Sequence, residues 1–216
     1  MTNLDSIKDR FQEDGYALVQ QCIPDALFQP IVAKLNDAVE DLARKLFQSG
    51  EISDPCSSLD FENRLAGLDP TGKIKIPTGW NHLRKCKELF DLAVFPDVVE
   101  ILEKLVGSEI YYTWSTQIRS KLPERFKTDR VRKFPWHQDS QYYNTLTDVP
   151  THRVHITTVW IPLVDVTEAN GCLWVIPGSH KWGIIKGERD ELGNMRSAIN
   201  VEDRGTPRAI HMKKGD

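Results

Sequence analysis

The sequence is poor in the features that mark secreted, membrane-spanning and nucleic-acid-binding proteins. Its 216 residues carry a formal net charge of only -3, which gives no global attraction to nucleic acid or to an anionic membrane. The first residues lack an apolar signal region, and no hydrophobic run approaches the length of a membrane span. We therefore expect a cytoplasmic protein with no nucleic-acid and no membrane partner.

Cysteine is also scarce, with four residues that are widely spaced and contain no Cys-x-x-Cys pair. Four cysteines can form disulfides in a secreted chain, but nothing in this sequence indicates secretion, so reduced thiols are the better expectation. The final Lys214-Gly215-Asp216 is not a peroxisomal targeting signal. No internal repeat or low-complexity tract is present. With 40% apolar and 27% charged residues, the composition predicts one soluble globular domain over residues 1–216.

Helical signals dominate the first half of the chain. Apolar residues at helical spacing predict one helix that ends at Gly15 and a second, long one that begins near Asp25 and ends at Gly50. A short helix is expected around 61–65, and another from Pro96 to Val106. The second helix should bury one apolar stripe, made of Ile31, Leu35, Val39, Leu42 and Leu46.

Strand signals dominate the second half. Alternating residues predict a short strand at 16–22 and a longer one at 110–119, and strand patterns prevail after residue 136. Helices in about 1–107 followed by strands in about 108–216 favour an antiparallel sandwich or barrel that is braced by amino-terminal helices.

The run Trp136-His137-Gln138-Asp139 carries the first chemical signal. In an extended segment the side chains at i and i+2 point to the same face, so His137 and Asp139 share one space while Gln138 points away. An imidazole and a carboxylate are two thirds of the 2-His-1-carboxylate site of non-haem Fe(II). The dipeptide pattern alone is weak, because with six histidines a chance His-x-Asp is expected in roughly a third of such chains.

The surroundings of this pair resemble the phytanoyl-CoA dioxygenase family of iron- and 2-oxoglutarate-dependent oxygenases. The matching blocks are His137-Gln138-Asp139, the segments 154–163 and 165–173, Pro177-Gly178-Ser179-His180-Lys181, and the amino-terminal Phe11-Gln12-Glu13-Asp14-Gly15-Tyr16. The resemblance thus covers nearly the whole chain. It implies a mainly β fold with bracing α-helices, namely a double-stranded β-helix (a cupin-like jelly roll) without its last strands, and it makes 154–163 a strand.

The resemblance also implies a chemistry. It assigns His137 and Asp139 as catalytic metal ligands for Fe(II), with 2-oxoglutarate and O2 as co-substrates, and a reaction that hydroxylates a small-molecule or lipid-like substrate while 2-oxoglutarate becomes succinate and CO2. Gln117 and Trp160 match positions that line the oxoglutarate pocket, although packing is as good an interpretation there. The expected substrate-pocket residues are Trp136, Tyr142, Tyr143 and His180. The three aromatic residues are equally interpretable as good strand formers, and His180 as part of a structural turn.

Other charged residues are more ordinary. His152 and His155 lie outside the motif and are interpreted as plain side chains. The segment 121–133 holds six basic and two acidic residues, which indicates either a solvated loop or a mobile lid that attracts an anionic substrate.

The sequence departs from the family pattern at its carboxyl terminus. In the family the second histidine ligand follows a Gly-Asp turn, and the oxoglutarate-binding arginine lies further on. Here Gly215-Asp216 matches that turn and no residues follow, while His211 precedes it. We therefore expect the third ligand and the arginine to be absent, which fits either a truncated enzyme or a short form that does not catalyse.

Three interpretations follow. The chain is a 2-oxoglutarate-dependent dioxygenase, a non-catalytic jelly-roll binding module, or a cupin-like metalloenzyme that does not use 2-oxoglutarate. An incomplete jelly roll would also leave an open sheet edge through which copies of the chain could associate.

Overall fold

The amino-terminal half of the chain is helical. The computed structural model describes residues 3–70, 74, 79–113, 115–122, 134–143, 156–191 and 193–216. Its helices are α1 (Leu4–Asp14), α2 (Asp25–Gln48), α3 (Phe61–Gly67), α4 (Lys87–Ala93), α5 (Pro96–Val106) and α6 (Ser140–Tyr143), and short 3-10 helices span Glu168–Asn170, Ser179–Trp182 and Val201–Asp203. All the predicted helices are confirmed. The short helices α4 and α6 were not predicted.

The ends of α1 show why local sequence predicted it well. The Asn3 side-chain oxygen accepts hydrogen bonds from the backbone N–H groups of Asp5 and Ser6, at 3.1 and 3.2 Å, which satisfies two donors that lack partners inside the helix. At the other end Gly15 adopts the left-handed conformation (φ +81°), and its N–H donates to the Phe11 carbonyl. An ion pair of 2.6 Å between Asp5 and Lys104 joins α1 to α5.

The main apolar core, which we call the helical cluster, forms around α2. The predicted stripe is confirmed, because four of its five residues are buried and Leu42 packs against them partly exposed. Side chains of α4 and α5 complete the cluster, through Leu92 and Val98. Burial of this stripe on several neighbours stabilises a helix that propensity alone would not.

The strands are few and short. β1 (Leu173–Val175) pairs antiparallel with β4 (Arg208–Ile210), with Leu173 opposite Ile210. β2 (Gly187–Arg189) pairs antiparallel with β3 (Met195–Ser197). The four strands formed by the described residues all lie in the predicted strand half of the chain. These small sheets are compatible with the cupin-like expectation, and the complete jelly roll stays a prediction.

Three predicted strands are wrong over their described residues. The segments 16–22, 110–119 and 154–163 form no strand there, and the only pairing in them is a single bridge between Gly79 and Arg119. Alternation predicts an extended chain with one buried side. The burial pattern at 117–119 agrees, because Ile118 is buried between exposed Gln117 and Arg119. A strand also needs a neighbour in register, which alternation does not supply.

Two smaller clusters lie under the strand half. The first, the sheet cluster, contains Val166, Cys172, Ile210 and Met212, with Tyr16, Leu18 and Trp160 packed against it. The second, the tryptophan cluster, contains Ile176, Ile185 and Val201, with Trp136 and Trp182 packed against it. In the described part of the chain, no helix is both long and apolar enough to cross a membrane.

The Gly215-Asp216 turn connects the two halves. The Ile23 N–H donates to the Gly215 carbonyl at 3.0 Å, and the Gln21 N–H donates to the Asp216 carboxylate at 3.0 Å. The Gly215 N–H reaches the Pro162 carbonyl at 3.4 Å. The turn is therefore held between the segment that precedes α2 and the segment that precedes the sheet cluster.

Gly215→Ala should destabilise the protein strongly. Gly215 has φ +88°, and a Cβ there would lie 2.6 Å from the Ile23 carbonyl oxygen, so the substitution adds a collision with backbone to the usual left-handed strain of about 1–2 kcal/mol. Gly50→Ala is the matched control, because Gly50 has φ +75° and no atom within 4 Å of its Cβ position. Urea unfolding should show a larger loss for Gly215→Ala. Equal losses of unfolding free energy in the two variants would mean that the turn can rearrange to accept the Cβ at no extra cost.

Candidate metal centre

The shared face of His137 and Asp139 is confirmed. The side chains of both residues converge, with 3.4 Å between His137 Nε2 and Asp139 Oδ1. The backbone here is extended without belonging to a sheet, and Asp139 enters the turn that begins α6. The alternation of side chains, rather than a hydrogen-bonded strand, produces the pair.

The opposite face of the same segment anchors it. The Gln138 side-chain amide donates to the Gly183 carbonyl at 2.9 Å, and its oxygen accepts from the Ile185 N–H at 2.8 Å. Trp136 packs in the tryptophan cluster, and its indole N–H donates to Glu202 at 3.0 Å. Because the side chains of Trp136 and Gln138 are both engaged, the backbone of the segment is anchored so that His137 and Asp139 face the same space.

The imidazole of His137 is oriented by a backbone carbonyl. Its Nδ1 lies 2.8 Å from the Pro135 oxygen, and since a carbonyl only accepts, Nδ1 carries a hydrogen. In the neutral ring, Nε2 then carries the free electron pair, and this nitrogen faces Asp139. Metal-ligating histidines are commonly held this way, with the other ring N–H on a carbonyl or carboxylate.

The spacing of the two donor atoms suits one metal ion. Two adjacent ligands that each lie about 2.1 Å from an octahedral ion are separated by about 3 Å. The 3.4 Å between Nε2 and Oδ1 is close to this value. The two residues therefore fit a shared ion such as Fe(II). Among the described residues no group of three or more His, Cys, Asp or Glu side chains is placed to hold a metal.

The imidazole and the carboxylate form an ion pair when the imidazole is protonated. Burial lowers the pKa of His137, but the hydrogen bonds to Asp139 and to the Pro135 carbonyl outweigh it, so the pKa lies above its ordinary value. The hydrogen bond from His137, together with that from Thr158, holds the pKa of Asp139 below its ordinary value against the opposing effect of burial. A metal must therefore displace the proton that His137 shares with Asp139.

Aromatic rings enclose the imidazole on two sides. Phe134 and Tyr142 make edge contacts with His137, with ring centroids 5.3 and 5.7 Å away. The Tyr142 hydroxyl accepts from the Met195 N–H at 3.0 Å, which ties the ring to β3. The Arg119 guanidinium lies over Phe134, 5.4 Å from its centroid. The site thus combines an imidazole beside a carboxylate, aromatic neighbours and one cation at its edge.

The other predicted site residues lie in different parts of the structure. Trp160 packs on the sheet cluster, with the Lys121 ammonium 5.7 Å from its ring centroid, and Gln117 is exposed on the same side of its segment as Arg119. Trp136 faces the tryptophan cluster, away from His137. Tyr143 ends α6 two residues after Gln141. The pocket roles of these residues stay predictions.

His180 lies against the end of α1. Its Nε2 is 3.1 Å from the Gln12 carbonyl, and a Cβ on Gly15 would come within 2.2 Å of its Nδ1. The structure thus gives His180 a packing contact with α1, and a role at the mouth of the site stays a prediction. His211, which the sequence placed before the turn, pairs with Glu168 at 3.5 Å.

Some predictions fall outside the described residues. They concern His152, His155 and most of the basic segment 121–133, of which only Lys121 and Leu122 are described.

Sequence reasoning missed three residues of the site: Phe134, Thr158 and Arg119. The Thr158 hydroxyl donates to Asp139 Oδ2. An available signal was its position two residues before Trp160, which places both side chains on one face of an extended segment. Arg119 likewise lies two residues from a predicted residue, Gln117, and on the same face of its extended segment.

Comparison with known proteins identifies relatives along the whole chain. The family model described as phytanoyl-CoA dioxygenase (PhyH) matches residues 11–216. The chain is 24% identical to a probable phytanoyl-CoA dioxygenase of Caenorhabditis elegans in an alignment of 220 positions, which covers 95% of this chain and 64% of that protein. It is also 24% identical to the 1-deoxypentalenic acid 11-beta-hydroxylase of Streptomyces exfoliatus, over 96% of this chain and 68% of that one.

A peroxisomal phytanoyl-CoA dioxygenase of Homo sapiens matches 79% of this chain and 46% of its own length, at 24% identity. The chain spans between about half and two thirds of the length of the first curated relatives that it matches. No solved structure matches it.

Asp139→Asn should lower the pKa of His137 in the metal-free protein. The substitution removes the charge that favours the imidazolium and leaves burial, which disfavours it. An NMR titration of the His137 ring measures the shift. Because folding raises the pKa of His137 and lowers that of Asp139, the contribution of the pair to stability is lost as pH rises through the folded pKa of His137 and also as pH falls through the folded pKa of Asp139.

Asp41→Asn is the control for that titration, since it removes one carboxylate of an exposed pair on α2 with Arg44. An identical His137 pKa in the native protein and in Asp139→Asn would contradict the ion pair.

Proposed function

Since the chain belongs to the phytanoyl-CoA dioxygenase (PhyH) family, we propose that it is an Fe(II)- and 2-oxoglutarate-dependent dioxygenase that hydroxylates a small-molecule or lipid-like substrate. The observation that carries this proposal is the convergence of His137 Nε2 and Asp139 Oδ1, 3.4 Å apart, with Nδ1 satisfied by a carbonyl. This arrangement leaves one nitrogen and one carboxylate oxygen available to the same ion.

Each residue has a defined part in the proposed reaction. When bound, Fe(II) with 2-oxoglutarate and O2 supplies the oxidising power for hydroxylation, and 2-oxoglutarate is converted to succinate and CO2. His137 and Asp139 hold the ion on one side and leave its other positions open. The Asp139 carboxylate offsets one unit of the ion's charge, which an asparagine of the same shape would not. Phe134 and Tyr142 limit the access of water to the imidazole.

The proposed substrate is acidic or is carried on an acidic group. The names of the relatives mention phytanoyl-CoA and 1-deoxypentalenic acid, which supports lipid-like acyl substrates. The exposed Arg119 at the edge of the site also supports an anionic substrate, because the contact with the Phe134 ring holds the charged guanidinium in one position. We further propose Gln117 and Trp160 for the oxoglutarate pocket, and Tyr142, Tyr143 and His180 for the substrate pocket.

His137→Ala and Asp139→Ala should each abolish activity. Either substitution removes one of the ligands that hold the ion, so 2-oxoglutarate turnover should fall by at least about a hundredfold. Succinate formation with Fe(II), 2-oxoglutarate and a panel of branched fatty acids and their CoA thioesters measures the loss. An anaerobic mixture of Fe(II) and 2-oxoglutarate should also give a weak visible absorption band that both variants lack.

His82→Ala is the matched control, because His82 is an exposed histidine that contacts only the edge of Trp80 among the described rings. A full-strength band in His137→Ala would refute the ligand assignment. Binding of 2-oxoglutarate without succinate would favour the binding module, and O2 consumption without 2-oxoglutarate would favour the cupin-like metalloenzyme.

A further inference from the structure

We infer that Thr158 is a positioning residue, which fixes the Asp139 carboxylate so that a single oxygen faces the metal. This inference rests on the proposed function, because it assigns a role toward the same ion. It concerns a residue that carries no charge, lies outside the His-x-Asp motif, and stands 19 positions from the aspartate along the chain.

The two oxygens of Asp139 have different partners. Oδ2 accepts the Thr158 hydroxyl hydrogen, and Oδ1 faces Nε2 of His137 at 3.4 Å. A carboxylate that is engaged through one oxygen cannot rotate freely about its terminal bond. The hydroxyl therefore selects which oxygen is presented beside the imidazole.

Thr158 is itself held in place by the segment that follows it. Trp160, two residues on, packs against the sheet cluster, and Pro162 is fully buried. The Pro162 carbonyl accepts the Gly215 N–H at 3.4 Å. The hydroxyl is thus mounted on a chain segment that is anchored independently of Asp139, which is what a positioning contact requires.

Asp139 needs such a contact because its own surroundings do not immobilise it. Its side chain is 44% exposed, and it lies in the turn that leads into α6. Without the hydroxyl, the carboxylate could turn both oxygens toward the ion or swing toward solvent. Presentation of one oxygen keeps coordination positions open for co-substrates, while presentation of two would fill one of them.

The test compares two substitutions at Thr158 with one at its neighbour. Thr158→Val removes the hydroxyl at nearly constant volume, and Thr158→Ser keeps it. Thr157→Val makes the same chemical change one residue earlier, where no hydrogen bond joins the side chain to another described residue. Co(II) serves as the probe, because its visible spectrum reports both affinity and coordination geometry in the protein as it stands.

Thr158→Val should weaken Co(II) binding about tenfold, in the range seen when residues that support a metal ligand are removed, and should change the Co(II) spectrum. Thr158→Ser and Thr157→Val should retain the affinity and spectrum of the native chain. In the metal-free protein, scalar couplings should show one side-chain rotamer of Asp139 in the native chain and in Thr158→Ser, and an average of several in Thr158→Val.

Three results would overturn the inference. Native affinity and spectrum in Thr158→Val, with Co(II) binding lost in His137→Ala, would leave the proposed metal centre intact and remove the role of Thr158. An equal loss in Thr157→Val would assign the effect to the packing of the segment. Equal Co(II) binding by the native chain and His137→Ala would refute the metal centre itself, and with it any ligand for Thr158 to position.

Discussion

The docking of the Gly215-Asp216 turn onto the segment before α2 is the contact on which the arrangement of the two halves depends. Residues 21 and 23 belong to the helical half, and their N–H groups find acceptors in the last two residues of the chain. Lys214 reinforces the join, with its ammonium 5.4 Å from the centroid of Phe28, which is fully buried in the helical cluster. The Gly215 N–H of the same turn also donates to the Pro162 carbonyl. The turn therefore helps to position the segment that carries Trp160 and Thr158.

The candidate metal centre uses the two faces of one short segment for two purposes. Trp136 and Gln138 are directed into the tryptophan cluster and the backbone beside it, and their contacts provide rigidity. His137 and Asp139 are directed the other way and remain partly exposed. Their mutual attraction raises the pKa of His137 and lowers that of Asp139, so the two groups are held together, and a metal ion at Nε2 competes with a proton there.

The sequence predicted local features well and distant ones poorly. The helix ends were predictable because the Asn3 cap, Gly15 and Pro96 act within one turn of chain. The His137–Asp139 face was predictable because it depends on a spacing of two residues. Strands at 16–22 and 110–119 were predicted wrongly because pairing depends on partners far along the chain. Thr158 was missed for the same reason. The alternation that puts His137 and Asp139 on one face also directs Trp136 to the opposite face, away from the imidazole.

The contact between Gly15 and His180 has a consequence for how this chain can evolve. A Cβ at position 15 would overlap the imidazole, and the two residues are separated by most of the sequence. Substitutions at these positions are therefore coupled by volume. A side chain at position 15 requires the His180 ring to move or to be replaced by a smaller residue, and the left-handed conformation of Gly15 (φ +81°) also disfavours any side chain there. Paired changes at these two positions in an alignment would record that shared space.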